Sequence, residues 1–253
     1  MLIKDTITIP QLSGQKPRRL YIYLPPDYDE SDVAYPVMYM FDGHNVFYDE
    51  DATYGRSWRM MEYLDKENPR LMIVAVECNH EGNSRLCEYT PWSFREKGLG
   101  TIKALGDIYM DWLTKELKPM VDRDFRTEPS RARTYICGSS MGGLMAVYGI
   151  TQYNSVFSRA AALSPSLWCA PDKIVQMIHN GEFHKDTHVY MDYGSEELFY
   201  RKNCETALRR VTGAFMDAGV YVCSRIVPGG QHNEASWEKQ IPIFMRCLEI
   251  VKD

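Results

Sequence analysis

Ser140 stands at the centre of Cys137-Gly138-Ser139-Ser140-Met141-Gly142-Gly143, a G-x-S-x-G spacing. The motif follows an apolar, strand-like run, Arg133–Cys137, and precedes a helix-forming run, Leu144–Gln152. A serine hydroxyl becomes a nucleophile when a sharp strand-to-helix turn projects it toward a base. Gly138 and Gly142 suit such a turn, because a Cβ there is expected to collide with the flanking strand and helix. The helix N-terminus then points at the hydroxyl, and the Met141 backbone N–H becomes a candidate oxyanion donor.

A base and an acid must come from elsewhere in the chain. Of the six histidines, His232 lies in Pro228-Gly229-Gly230-Gln231-His232-Asn233, just after the last strand-like run. The order Ser, acid, His along the chain makes it the candidate general base. The acid is expected after the seventh strand, in Asp192-Tyr193-Gly194-Ser195-Glu196-Glu197. Three carboxylates compete there. Asp192 falls within the strand; Glu197 is favoured and Glu196 comes next, although both acids also suit a helix start. The loop after the third strand, Asp42-Gly43-His44-Asn45, offers the His44 backbone N–H as a second oxyanion donor. An ordinary Asp-Gly turn reads the same way. His179, His184 and His188 lack an accompanying cysteine or carboxylate pattern, so no metal is expected. No organic cofactor is expected either.

The elements that must position these groups alternate. Strands are predicted at Leu2–Ile9, Arg18–Leu24, Pro36–Phe41, Leu71–Val76, Arg133–Cys137, Ala160–Leu163, Thr187–Tyr193 and Val220–Val227. Helices are predicted at Trp58–Lys66, Leu99–Val121, Leu144–Gln152, Pro171–Asn180, Glu197–Ala218 and Glu234–Val251. Residues 78–98 lack a clear period and read as a loop. This alternation implies an α/β fold with an eight-stranded, mostly parallel sheet and helices on both faces. The 253 residues suit a single domain, 1–253.

Composition narrows the function. Apolar residues make up 45%, charged residues 25%, and the net charge is −5. With no long basic run, no nucleic-acid partner is expected. No apolar segment approaches the roughly 18 residues of a membrane span, so no membrane partner is expected. The N-terminus lacks a basic stretch followed by an apolar one. Seven cysteines at wide spacings, without a C-x-x-C, suit reduced thiols. Both features lead to a cytoplasmic expectation.

The segments YMFDGHNVF (39–47), EYTP (88–91), YICGSSMGGL (135–144), FSRAAALSPSLW (157–168), GSEE (194–197) and GQHNEASW (230–237) together resemble the putative-esterase family of α/β-hydrolases. That family includes esterase D-like, enterochelin, feruloyl and acetyl-xylan esterases and the mycolyl transferases. The resemblance implies an α/β-hydrolase fold, Ser140 as nucleophile, His232 as its histidine and Glu197 as the acid, where many members carry Asp. It also places the His44 and Met141 N–H groups in the oxyanion hole, and Trp168 and Ser164 at the substrate pocket. The expected activity is ester hydrolysis through an acyl-enzyme on a small-molecule ester: an acylated sugar, a phenolic ester or a siderophore-type ester. An acyltransferase with the same site and a non-catalytic binding module on a hydrolase fold are the alternatives. Trp58, Tyr89, Trp92, Trp168, Phe199 and Tyr200 are aromatic candidates either for stacking on substrate or for packing. The oligomeric state is not legible.

Overall fold

A computed structural model describes residues 1–199 and 203–251. They group into two compact units, 1–135 and 136–253. The main sheet has eight strands and is mostly parallel.

In the first unit, β1 (Leu2–Thr8), β2 (Pro17–Tyr23), β3 (Val37–Met40) and β4 (Met72–Val76) are ordered β1-β2-β4-β3. β1 and β2 pair antiparallel, as do β2 and β4, while β3 and β4 run parallel. Every residue of β3 and β4 is buried, the pattern of a strand covered on both faces. The stretch expected to be a loop carries structure. Ser84–Glu88 is a short helix, and β5 (Phe94–Glu96) pairs antiparallel with β6 (Gly100–Ile102). That hairpin displaces the helix expected from Leu99. It starts at Gly106 instead and runs on to Asp124, with a π-helical turn at Leu113–Leu117. The helix expected from Trp58 starts at Met60, because Arg59 takes a left-handed backbone.

β7 (Thr134–Ser139), β8 (Arg159–Leu163), β9 (His188–Gly194) and β10 (Tyr221–Val227) follow in that order, and all but the start of β7 lies in the second unit. β9 is parallel to both β8 and β10. The helix Met141–Gln152 is buried along nearly its whole length, so it is apolar all round rather than amphipathic. The helix expected over Glu197–Ala218 begins at Cys204; Ser195–Phe199 is a 3₁₀ turn, and residues 200–202 of that expectation lie outside the described residues. The C-terminal helix is two pieces, Glu234–Glu238 and Ile241–Cys247. Pro242 lacks an amide hydrogen and suits the first turn of a new helix better than the interior of a long one. Among the described residues no helix is long and apolar enough to cross a membrane.

Candidate active site

The elbow is built by backbone sterics. Ser140 adopts φ 57°, ψ −120°, a conformation that L-residues avoid. Its N–H donates to the Leu163 carbonyl at 2.9 Å, and its own carbonyl accepts from Ser166 N–H at 2.9 Å and Leu144 N–H at 3.0 Å. The turn is therefore held by β8 and by the first turn of its own helix. A Cβ on Gly138 would lie 2.6 Å from the Gly142 backbone, so position 138 has no room for a side chain. Met141 is the first residue of the helix, where a backbone N–H has no intrahelical partner.

The other two groups arrive on turns that are stitched together. A Cβ on Gly194, at the end of β9, would fall 2.2 Å from the Gly230 backbone. Glu196 N–H donates to the Gly230 carbonyl at 3.0 Å, and Gly229 N–H donates to Ser195 Oγ at 2.9 Å. Asn233 caps the helix that follows by accepting from Ser236 N–H at 3.0 Å, which fixes the chain just after His232.

These turns bring Ser140, His232 and Glu197 into one line of contacts. His232 Nε2 lies 3.0 Å from Ser140 Oγ, and His232 Nδ1 lies 2.6 Å from Glu197 Oε2. The His232 side chain is about half exposed and that of Glu197 is buried. Burial alone would raise the Glu197 carboxyl. Hydrogen bonds from His232, from the Ser164 hydroxyl and from Gly194 N–H outweigh it and hold the group below the usual glutamate range.

The competing acids go elsewhere. Glu196 is exposed. Asp192 is buried in β9, accepting from Tyr190 OH at 2.8 Å and from Ser164 N–H at 3.2 Å, and burial pushes it up to about 7. The resemblance sets Ser164 at the substrate pocket. It is buried, and its hydroxyl donates to Glu197 Oε1 at 2.6 Å while accepting from the Trp237 indole N–H at 2.9 Å. Ser164 also has φ 45°, a second strained serine. Trp237 meets the His232 ring edge to face at 5.1 Å. No sequence spacing signals this support for the acid, because Ser164 and Trp237 are 73 residues apart.

Trp168 sits half-buried in a 3₁₀ turn, Leu167–Cys169. Of the other aromatic candidates, Trp58 and Tyr89 are buried, and Tyr89 packs edge to face on Phe41 at 5.1 Å and on Tyr109 at 5.3 Å. Trp92 is half-buried. Tyr200 and the side chain of Phe199 lie outside the described residues. In the first unit, Asp42 has φ 55°, and His44 follows it in a 3₁₀ turn, Gly43–Asn45. A Cβ on Gly43 would lie 2.7 Å from the Ala75 backbone, so the turn packs directly on β4.

The sheet and its helices have the α/β-hydrolase fold. The family model for Putative esterase matches residues 13–245, and the chain belongs to that family. It is thereby an ester hydrolase. It is 25% identical over 245 residues to the Uncharacterized protein YbbA of Bacillus subtilis (strain 168), covering 92% of this chain and 91% of that protein. Among solved structures it resembles an IroE-like serine hydrolase from Shewanella oneidensis, with TM-score 0.76 and 20% identity over 97% of this chain and 78% of the other. It also resembles the Enterobactin and Salmochelin Hydrolase IroE, with TM-score 0.67 and 21% identity over 98% and 94%. At those identities the structures establish a shared fold.

Proposed function

We propose that the protein is a serine esterase that cleaves a small carboxylic ester through an acyl-enzyme. The observation that carries this reading is the contact line Ser140 Oγ–His232 Nε2, 3.0 Å, and His232 Nδ1–Glu197 Oε2, 2.6 Å.

His232 takes the Ser140 proton as the oxygen attacks the ester carbonyl. Glu197 holds the ring with its proton on Nδ1 and stabilises the imidazolium that forms. The Met141 N–H, at the helix start, is the proposed oxyanion donor. His232 then protonates the leaving alcohol, the ester C–O bond breaks, and an acyl group is left on Ser140. Water, deprotonated by His232, attacks the acyl carbonyl and releases acid and free enzyme.

The half-exposed imidazole suits a substrate that approaches from solvent. Acylated sugars, phenolic esters and siderophore-type esters are the proposed substrate classes, the last named on the likeness to IroE. All seven cysteines are free thiols, which suits a cytoplasmic setting.

Ser140→Ala is expected to lower kcat on p-nitrophenyl acetate by a factor on the order of 10⁴ to 10⁶. Its melting temperature should stay that of the parent, and labelling by a fluorophosphonate should vanish. A folded variant that still cleaves the ester at the parent rate overturns the assignment.

A further inference from the structure

Two imidazoles and a thiol that take no part in the proposed reaction meet within the first unit. His44, Cys78 and His80 each place one potential ligand atom within 4.8 Å of the other two. His44 sits on the turn after β3, while Cys78 and His80 lie just past the end of β4. β3 and β4 are parallel neighbours, so both segments leave the sheet at the same edge. The two imidazoles meet edge to face, 4.7 Å between centroids.

The ring nitrogens are already sorted. His44 Nε2 is 3.0 Å from Thr53 Oγ1, and His80 Nε2 is 2.9 Å from Glu77 Oε1. Those partners leave Nδ1 on each ring. His44 Nδ1 is enclosed, and no described residue offers it a hydrogen bond, although the residue is only 2% exposed. An enclosed polar nitrogen without a partner calls for an explanation. An oxygen acceptor on the far nitrogen of an imidazole is the usual way a metal-binding histidine is oriented: it draws the N–H to that side and leaves a lone pair on the other. Thr53 and Glu77 occupy those positions here.

We propose that His44 Nδ1, His80 Nδ1 and Cys78 Sγ form a binding site for a divalent cation of borderline softness, for which Zn²⁺ is the probe. One thiolate and two imidazoles are a zinc donor set, with a fourth position left to water. Zn–S and Zn–N bonds of about 2.3 and 2.0 Å require the donors to draw together by roughly 1 Å. His80 provides that movement, since its side chain is 51% exposed, and it gives the ion a route from solvent. Glu77 is held by Arg19 as well as by His80, and so orients a ligand rather than serving as one. On binding, the Cys78 S–H bond breaks, its proton passes to buffer and the Sγ–Zn bond forms. The imidazoles bind as neutral donors, so one proton is released per ion.

The test uses the full chain without a histidine tag. Titrated with Co²⁺, it should bind one equivalent, with a thiolate-to-cobalt charge-transfer band in the near ultraviolet and the intense visible bands of tetrahedral cobalt. Zn²⁺ should displace the cobalt. Calorimetry in two buffers of different ionisation enthalpy should report one proton released. Cys78→Ser should remove the charge-transfer band, and His80→Ala should weaken Zn²⁺ binding at least tenfold. Because Cys78 is buried, its variant can fail to fold; the parent's cobalt spectrum and the half-exposed His80 position keep the test decisive. A cobalt complex of the parent without the charge-transfer band overturns the site, as does unchanged Zn²⁺ affinity in His80→Ala. None of these readouts depends on ester hydrolysis, so the esterase reading and the metal site stand or fall separately.

Discussion

Both units bury carboxylates, but they partner them differently. In the first unit, Arg18 Nη1 meets Glu88 Oε1 at 2.8 Å with both side chains almost fully enclosed, and the same oxygen accepts from Asn79 N–H at 2.8 Å. Arg85 grips both oxygens of Asp42 at 2.7 Å. Burial would raise the Asp42 carboxyl, but that guanidinium overrides it and holds the group below the usual range. In the second unit, Glu197 is held by an imidazole, a hydroxyl and one backbone N–H, and Asp192 by a phenol and a backbone N–H. A guanidinium keeps its proton at any working pH, so an Arg–carboxylate pair is a fixed strut. An imidazole gains and loses its proton near neutrality, so a carboxylate behind it can serve a proton-transfer step. The contrast between the units lies in the kind of partner, since burial still raises the Glu88 carboxyl beside its guanidinium.

The largest expected effect breaks the pair in the second unit. Glu197→Gln presents an amide to His232 Nδ1, and an amide N–H there favours the tautomer whose proton faces Ser140. By analogy with amide replacement of a triad acid, kcat should fall by about 10⁴-fold with the melting temperature little changed. If the variant turns over ester at the parent rate, Glu197 is as structural as Glu88 and the contrast fails. The reciprocal change in the first unit is Arg18→Met. It strands Glu88 without its cation, and urea denaturation should show a loss of roughly 3–5 kcal/mol. Turnover per folded molecule should stay within a few-fold of the parent. A large loss of kcat at unchanged stability would show that the strut acts on the chemistry.

Asp192 sharpens the contrast through pH. Its folded value of about 7 lies above the ordinary aspartate value of about 3.9. Between those pH values the folded chain keeps a proton that the unfolded chain has lost, so stability falls as pH rises across that window and the full penalty is present above it. Asp192→Asn removes the titration. Relative to the parent, the variant should gain stability steadily from about pH 4 to pH 7 and no further beyond, read from urea midpoints at each pH. A constant difference across the range means that Asp192 is charged in the folded state.

The legibility of the molecule follows the same division between local and distant causes. The Ser140 turn is local: small neighbours, a preceding apolar strand and a following apolar helix announce it within fifteen residues. The candidacy of His232 rests on chain order and a glycine turn. Glu196 and Glu197 are not separable by residue type, because one step along the 3₁₀ turn Ser195–Phe199 exchanges an exposed position for a buried one. The contact of Ser164 with Glu197 is not legible in the sequence, because its hydroxyl is aimed by a positive φ and by an indole far along the chain. Long helices were over-extended where a hairpin at Phe94–Ile102 or Pro242 intervened. The His44–Cys78–His80 cluster was missed because its members are joined by the parallel pairing of β3 and β4.

The smallest expected effect concerns the second layer behind the acid. Trp237 N–H donates to Ser164 Oγ, which in turn donates to Glu197 Oε1. Without the indole hydrogen, the Ser164 hydroxyl loses the contact that points its own proton at the carboxylate. Trp237→Phe deletes the N–H and keeps an aromatic ring against His232, so one buried hydrogen bond separates variant from parent. At a net worth of about 1 kcal/mol, its loss lowers kcat by roughly fivefold. KM should be unchanged, because the indole acts through Ser164 and Glu197 and not on substrate. Trp237→Leu, which removes the edge-to-face contact with the imidazole as well, should cost more in kcat. A Phe variant with the parent kcat would show that the indole N–H is a passenger. A rise in KM with unchanged kcat would place Trp237 at the substrate instead of behind the acid.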